Sequence, residues 1–354
     1  MKFTKSPLEL ACYAFFVLVL LMSACKTTSV VRFQAIEAPK VILPPDVNQL
    51  AFVDRNLHFP SDSVIHYYSL AGAPIKDSID HTQDMSLNCY WGFIENLSEF
   101  WSQDSVPFIR LPRKKTTDTI RHYELLNWET VDSLCQASQS DVLVVLEDIQ
   151  AFNKHEIVQD EIYWAFTEVD YYGKWRIYDP LYQKIYDDRF IVDSLFMESS
   201  NWSFDKLVSE KLPRREQMLN DAAYELGRNY VDLISPRWID VSRKYFVSGD
   251  KRLSAALYYM NREEFDNAIN IWKSMIGEDN LKLAGRAAYN LAVVHEMKGD
   301  LKNAQGWIRK ANYLYKKMKN RPGEYKEVEA YTLILNARWL NGKKIKRFFG
   351  DEEK

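Results

Sequence analysis

The feature that most constrains this fold is a run of five aliphatic residues, Val142 to Leu146, which follows Asp141 without polar interruption. A strand buried on one face alternates apolar and polar residues, whereas a continuous apolar run is typical of a strand buried on both faces. The run therefore predicts the central strand of a sheet. Hydrophobic spacing upstream predicts two more strands and two helices: strands at Leu50–Val53 and Val106–Leu111, and helices at Met85–Trp101 and Trp128–Ala137.

The residues that follow the central strand alternate in polarity as far as Phe196, with turn signals at Gly173 and Pro180. This pattern predicts an antiparallel meander. Pro213 then opens an amphipathic helix that ends before Pro236. We therefore expect one mixed-sheet α/β domain over residues 40–248.

Beyond Gly249 the strand signals almost vanish and helices follow one another. A helix from Ala287 breaks at Gly299-Asp300 and resumes with small residues at Ala304 and Ala311. This arrangement resembles the tetratricopeptide repeat, in which small residues sit at the helix crossing and glycine occupies the turn. We predict an all-α, tetratricopeptide-like region over residues 249–342 and a charged tail over 343–354; a plain helical bundle is the alternative.

A register of 36 residues gives an upstream copy of the repeat, in which Ala256 matches Ala292 and Glu263 replaces the turn glycine. First helices of such repeats line a concave face that binds partners. The resemblance thus implies a partner-binding groove formed by Leu253, Leu257, Arg286, Tyr289, Asn290, Val293 and Glu296. The alternative is that this groove packs on the α/β domain.

The N-terminus carries Lys2 and Lys5, then an apolar stretch that ends in Ser23-Ala24-Cys25. The stretch is about a dozen residues long, short of the ~20 that a transmembrane helix needs. We predict a lipoprotein signal peptide over residues 1–24, acylation of Cys25 and a tether over 25–39. A cleaved secretory peptide or an uncleaved anchor are the alternatives.

Cys89 and Cys135 remain once the signal and the lipidated cysteine are set aside. They would form one disulfide in an oxidising compartment, or stay free as small buried thiols in apolar helical patterns.

Motifs for catalysis are missing from the sequence. His155-Glu156 begins like a zinc-protease helix but lacks the second histidine, and phosphate-cradling glycine loops do not occur. Adjacent acids such as Asp160-Glu161 would point to opposite faces of a strand. We expect no catalytic residue, no metal site, no cofactor and no enzymatic activity. A net charge of -3 gives no case for nucleic-acid binding.

A triplet of Asp, then Ser or Thr, then an aliphatic residue recurs through the first 200 residues. It resembles the acceptor motif of the general O-glycosylation system of Bacteroidota, although Asp-Ser pairs also serve as turn and cap material. The resemblance implies modification at Ser63, Ser78, Ser105, Thr119, Ser133 and Ser194.

The signal, the triplets and the path from Ala222 through Pro236 to Phe246 together resemble an uncharacterised Bacteroidota envelope lipoprotein family with C-terminal tetratricopeptide-like repeats. The resemblance implies a lipid anchor, an envelope protein partner and an outer-membrane location facing the periplasm. We expect a non-enzymatic interaction or assembly factor. An envelope glycan-binding protein or hydrolase is the alternative, because ten tryptophans and 21 tyrosines offer sugar-stacking surfaces.

Overall fold

The structure is a computed structural model that describes residues 27–56, 65–70, 73–78, 85–97, 100–101, 105–111 and 123–350. Only the backbone is described for residues 65–70 and 73–78. The signal peptide, Cys25, Ser63 and Thr119 lie outside these ranges. The described chain divides into two compact units: a sheet unit, residues 38–237 with 344–350, and a helical unit, residues 27–37 with 238–343.

The sheet unit is a mixed sheet with helices, as the sequence predicts. Its elements are β2 (Leu50–Asp54), β3 (Ile65–Leu70), β4 (Ala73–Ser78), α1 (Met85–Asn96), β5 (Phe108–Arg110), α2 (Trp128–Ser138), β6 (Val142–Gln159), β7 (Tyr163–Asp179), β8 (Lys184–Asn201) and α3 (Arg215–Ile234). A helical turn at Phe204–Lys206 and a π-helical turn at Leu207–Lys211 precede α3.

The buried run belongs to β6, which is the central strand, as predicted. The first half of β6 pairs in parallel with β2, which in turn pairs with β5, and its second half pairs in parallel with β3, beside β4. The other edge of β6 pairs along its length with β7, which continues into β8. Burial of Val142–Leu146 on both faces explains why no polar residue interrupts the run.

One turn predicted for the meander is wrong. Gly173 lies inside β7, paired with Ile149 and Ile191 on the neighbouring strands. A Cβ atom at Gly173 would lie 2.4 Å from a methyl group of Leu226 in α3. The glycine therefore permits a close helix approach. The turn predicted at Pro180 is confirmed, between β7 and β8.

Alternate residues of the central strands bury their side chains on opposite faces of the sheet. Phe52 packs on one side with α1 and α3, where Trp175 stacks on Tyr230 at 4.1 Å. Val53 packs on the other side with α2. Cys89 and Cys135 are buried in these two separate clusters as free thiols, so they do not form a disulfide with each other.

The helical unit contains α4 (Lys251–Met260), α5 (Phe265–Ser274), α6 (Leu281–Met297), α7 (Leu301–Lys316) and α8 (Tyr325–Phe348). The last residues of α8 belong to the sheet unit. The unit also holds a two-stranded ribbon of β1 (Thr28–Glu37) and β9 (Arg237–Phe246). Asp250, Asn280 and Asp300 cap the starts of α4, α6 and α7 with side-chain hydrogen bonds.

Three boundaries differ from the sequence prediction. Residues 28–37, expected in the tether, form strand β1, because β9 supplies a pairing partner distant in sequence. The units divide at Arg237/Trp238 rather than at 248/249. The expected charged tail continues α8 to Phe348, whose ring meets Trp101 of the sheet unit at 5.5 Å.

Replacing Gly227 with alanine will destabilise the sheet unit. A Cβ atom there would lie 1.9 Å from the backbone oxygen of Cys89, so α1 and α3 would have to separate. We expect the Gly227→Ala chain to lose about 1–3 kcal/mol or more of unfolding free energy. Gly306→Ala is the matched control, because a Cβ atom at that helical position meets no atom within 4 Å and removes a flexible residue. Denaturant unfolding measures both, and equal stabilities would contradict the close approach.

Candidate functional site

The predicted binding groove lies along α4 and α6, and its residues share one face of these helices. That face is not open. Leu253, Arg286, Tyr289, Asn290, Val293 and Glu296 are all buried, and Leu257 alone of the predicted set is partly exposed. The predicted open groove is therefore wrong: the face packs against the segment 237–246, which the sequence prediction had placed in the α/β domain.

Strand β9 is what occupies this face. The side-chain oxygen of Asn290 accepts a hydrogen bond from the backbone N–H of Phe246, and its amide nitrogen donates to the Phe246 carbonyl, both at 2.7 Å. One side chain thus satisfies both polar groups of a buried backbone residue, as a neighbouring strand would. The Phe246 ring lies edge-on to Tyr289 at 5.1 Å and under the Arg286 guanidinium.

Two buried ion pairs hold the surrounding elements together. Glu296 accepts hydrogen bonds from Arg243 of β9 at 2.8 and 2.9 Å, and from the Tyr331 hydroxyl of α8 at 2.7 Å. These contacts join β9, α6 and α8 around one carboxylate. Arg338 also lies 3.5 Å from Glu296, so the fully buried carboxylate is compensated by two guanidinium groups.

Arg286 forms the second ion pair, with Glu324, at the start of α8. Its guanidinium also donates to the Ser248 carbonyl at 2.6 Å, and the Tyr315 hydroxyl donates to Glu324 at 2.7 Å. Burial alone would raise the pKa of Glu324, but the hydrogen bonds from Arg286 and Tyr315 outweigh it and hold that pKa below its usual value. Glu324 therefore stays ionised at neutral pH.

A cavity of about 280 Å³ remains beside this cluster. It is lined by Thr27, Thr28, Lys244, Phe246, Tyr289, Gly323, Glu324 and Glu327. Lys244 and Glu327 lie 3.5 Å apart, and Glu324 is already paired with Arg286, so the charges around the space are largely balanced. The cavity therefore offers aromatic surface and no strong net charge.

A second buried ion cluster lies in the sheet unit, at the carboxyl end of β2. Glu147 is fully buried and accepts hydrogen bonds from Arg55 at 2.9 Å and from Arg176 at 3.1 Å. Asp148 beside it accepts from the Tyr123 hydroxyl at 2.6 Å. Sequence analysis missed this cluster because its members come from four separate segments. Glu147 is compensated by two guanidinium groups, which favours a structural over a catalytic role.

The most exposed apolar surface of the sheet unit is one face of β6, β7 and β8, here called the outer face. Cross-strand register places its members side by side: Phe152, Phe166, Tyr172, Phe190, Val192 and Phe196. Phe152, Phe190, Val192 and Phe196 keep 46%, 51%, 76% and 63% of their surface exposed. Exposed acidic residues lie between them, Glu156, Glu168, Asp170 and Glu198, against the exposed base Lys154; the buried bases Lys174 and Arg176 of this face are paired with Asp188.

The other predicted sites fall at separate places. Ser105, Ser133 and Ser194 of the acceptor triplets are exposed, and the side chain of Ser78 lies outside the described residues. Burial, with Asp54 nearby, raises the pKa of the Cys89 thiol far above its ordinary value, and burial raises that of Cys135 to about 11. Both thiols are therefore protonated at neutral pH, which disfavours nucleophilic chemistry.

In the part of the chain that the structure describes, no group of His, Cys, Asp and Glu residues could hold a metal ion. Over the same residues, no helix combines the length and hydrophobicity needed to cross a membrane.

Two family models match the chain. The model described as Domain of unknown function (DUF8603) matches residues 47–246, and Domain of unknown function (DUF6340) matches residues 254–337. The first match covers more than half of the chain. No curated protein matches.

Several solved structures are similar over about half of the chain. A putative neuraminyllactose-binding hemagglutinin homolog from Helicobacter pylori is 7% identical, with 55% of this chain and 86% of that chain covered and a TM-score of 0.25. A PelC dodecamer from Paraburkholderia phytofirmans is 8% identical, with 58% and 98% covered and a TM-score of 0.21. Protein XCC0632 from Xanthomonas campestris, of family model DUF330, is 13% identical, with 55% and 94% covered and a TM-score of 0.23. Scores this low carry no argument about function.

The double change Tyr289→Ala with Asn290→Ala will destabilise the helical unit. Without the Asn290 amide, the buried N–H and C=O of Phe246 lose their partners, at a cost of about 1–3 kcal/mol for each group. Removing the Tyr289 ring adds the cost of a cavity. Thermal unfolding is the measurement, and the exposed Asn267→Ala on α5 is the control. A midpoint within about a degree of the parent would show that β9 leaves the groove readily.

Proposed function

Because the chain belongs to the DUF8603 family, whose description names no activity, we propose its function from its own residues: a membrane-anchored, non-enzymatic protein-interaction or assembly factor of the cell envelope. The observation that carries the interaction role is the outer face. Four of its apolar side chains, on β6 and β8 at either side of β7, are about half to three-quarters exposed. Contiguous apolar surface of this kind is typical of a protein–protein contact.

The chemistry of the outer face favours a polypeptide partner with apolar and basic side chains. Phenylalanine and valine supply apolar area, and four exposed acids against one exposed lysine give the face a negative charge. A partner with basic side chains around an apolar centre complements both properties. The glycan alternative has less support, since the most exposed rings on this face are phenylalanines, whereas Trp164 and Tyr172, which offer a polar group beside the ring, are partly buried.

The helical unit is proposed to be tetratricopeptide-like. Ala256, Ala268, Ala292 and Ala304, the small positions of the two copies, are fully buried. The turns of the two copies also agree: Gly299 has φ +76°, and Glu263, 36 residues upstream, has φ +60°. A left-handed glutamate is uncommon, and it occupies the position where the repeat register expects glycine. In this proposal the unit is a scaffold whose groove is filled by the chain's own strand β9.

Attachment to the membrane is proposed to depend on Cys25, and the outer membrane facing the periplasm is the proposed location. The support is the run that ends in Ser23-Ala24-Cys25 and the lack of acids over residues 26–35. In Bacteroidota, export of lipoproteins to the outer surface tends to follow an acidic stretch just after the lipidated cysteine.

Cys25→Ala will release the protein from the membrane fraction and abolish its labelling by a fatty-acid analogue. Cys12→Ala, within the signal itself, is the matched control and should leave both unchanged. A Cys25→Ala chain that stays membrane-bound and unprocessed would show a transmembrane anchor instead. Degradation by protease added to intact cells would show that the protein faces outward.

Photo-crosslinking tests the outer face directly. A benzophenone amino acid at Phe152 or Phe166 should give a discrete covalent adduct with another protein in the cell envelope. The same group at Tyr313, a half-exposed ring on α7, is the control and should give none. Gel mobility and mass spectrometry of the purified protein identify the adducts. Adducts at all three positions, or at none, would contradict a binding role for the outer face.

A further inference from the structure

Among the described residues, strand β8 forms one edge of the large sheet, whose other end strands are β4 and β5. It pairs with β7 along its whole length, and no other strand among the described residues pairs with it. β8 is 18 residues long, contains no proline, and has no lysine after Lys184. Soluble proteins usually protect such edges with lysine, proline or short strands. β8 carries acids and one arginine, but an edge of this length without proline, and with exposed Val192 and Phe196, is suited to pairing with another strand.

One hydrogen bond shows which backbone N–H and C=O groups of β8 point away from β7, toward the free edge. The backbone N–H of Ser194 donates to the Asp193 carboxylate at 2.9 Å. This N–H therefore points away from β7. Because main-chain groups alternate in direction along a strand, the even-numbered residues from Asp188 to Ser200 present their N–H and C=O groups to the free edge.

We propose that β8 pairs antiparallel with β8 of a second copy of this chain, about a two-fold axis at Ser194. In this register Val192 lies opposite the second copy's Phe196, and each of these side chains is more than half exposed in one copy. On the other face Ile191 lies opposite the second copy's Met197. Directly opposite apolar side chains support each other across strands, so both faces of the joint gain apolar contact.

The side chains that lie opposite each other favour the axis at Ser194 over the neighbouring axes. An axis at Asp193 would place Asp188 opposite the second copy's Glu198, and like charges in that position repel. An axis at Val192 would place Phe196 opposite Asp188, and one at Leu195 would place Val192 opposite Glu198, so neither keeps these two highly exposed apolar side chains opposite each other. The Ser194 axis instead places Asp188 opposite Ser200, and Glu198 opposite Phe190. No two acids then face each other along the joint.

A two-fold symmetric homodimer uses the same surface on both copies. Pairing of β8 with β8 meets this requirement. The sheet would continue across the axis, and the outer faces of two copies would form one surface. This inference goes beyond the proposed interaction role and does not depend on it. The acidic aromatic outer face could bind a different protein whether the chain is single or paired.

A cysteine scan of the edge tests the proposal on the full-length chain in detergent. Residues on the axis face their own counterparts at a Cα separation of about 5 Å, within the range that a disulfide spans. Mild oxidation of Ser194→Cys should give a disulfide-linked dimer in high yield, with less from Val192→Cys. The parent chain, whose Cys89 and Cys135 are buried, sets the background. Ser133→Cys, exposed on α2, is the matched control.

Mass measurement provides the second readout. The parent chain should sediment as a dimer, and Val192→Lys as a monomer with unchanged circular dichroism. Leu333→Lys, at a 71% exposed site on α8, should leave the dimer intact. A monomeric parent, or a Ser194→Cys yield no higher than that of Ser133→Cys, would overturn the proposal. Failure of the Phe152 crosslink in a chain that still dimerises would count against the interaction role alone.

Discussion

The pairing of β6 along both of its edges is the constraint on which the sheet unit depends. Five residues of this strand are buried on both faces, and its 18-residue length lets one edge serve two different parallel partners, β2 and β3. The other edge carries β7 throughout. Each backbone group of a fully buried strand needs a partner, since an unpaired group would lose its hydrogen bonds to water without replacement. Three neighbours around one strand meet that requirement.

The helical unit meets the same requirement by a different route. Phe246 ends β9 and is buried against α6, where no strand is available on that side. The Asn290 amide replaces the strand, with one donor and one acceptor at 2.7 Å. The Arg243–Glu296 ion pair then fixes the same strand three residues earlier. The face on which the sequence predicted a partner-binding groove thus becomes part of the core, because the extended segment that covers it belongs to the same chain.

The sequence predicted the elements whose cause is local. The run Val142–Leu146 identified the central strand, and the spacing around Ala292 and Gly299 identified a helix pair with a glycine turn. It could not predict features that arise from residues distant in sequence. Strand β1 carries alternating polarity, but its partner β9 lies about 200 residues away, so its segment resembled a tether. Gly173 was taken for a turn because a glycine needed for close packing and one needed for positive φ look identical in a sequence. The burial of Asn290 likewise depends on β9, which the hydrophobic pattern assigned to the other domain.

The long strands β6, β7 and β8 cover the core with one face of the sheet and form the exposed outer face with the other. Successive side chains of a strand point to opposite faces of the sheet. Each strand that covers the core therefore places about as many side chains on the outer face as on the core face. Over the second half of β7, Lys174, Arg176 and Tyr178 of the outer face are buried, whereas over its first half Phe166, Glu168 and Asp170 remain partly or fully exposed. Solubility alone would favour polar residues at every exposed position. Instead, the rings of Phe152, Phe190 and Phe196 remain about half exposed to water. The acids between them disfavour nonspecific aggregation. An apolar surface with acids between its rings suits the defined protein contact proposed for it, because the acids disfavour nonspecific association.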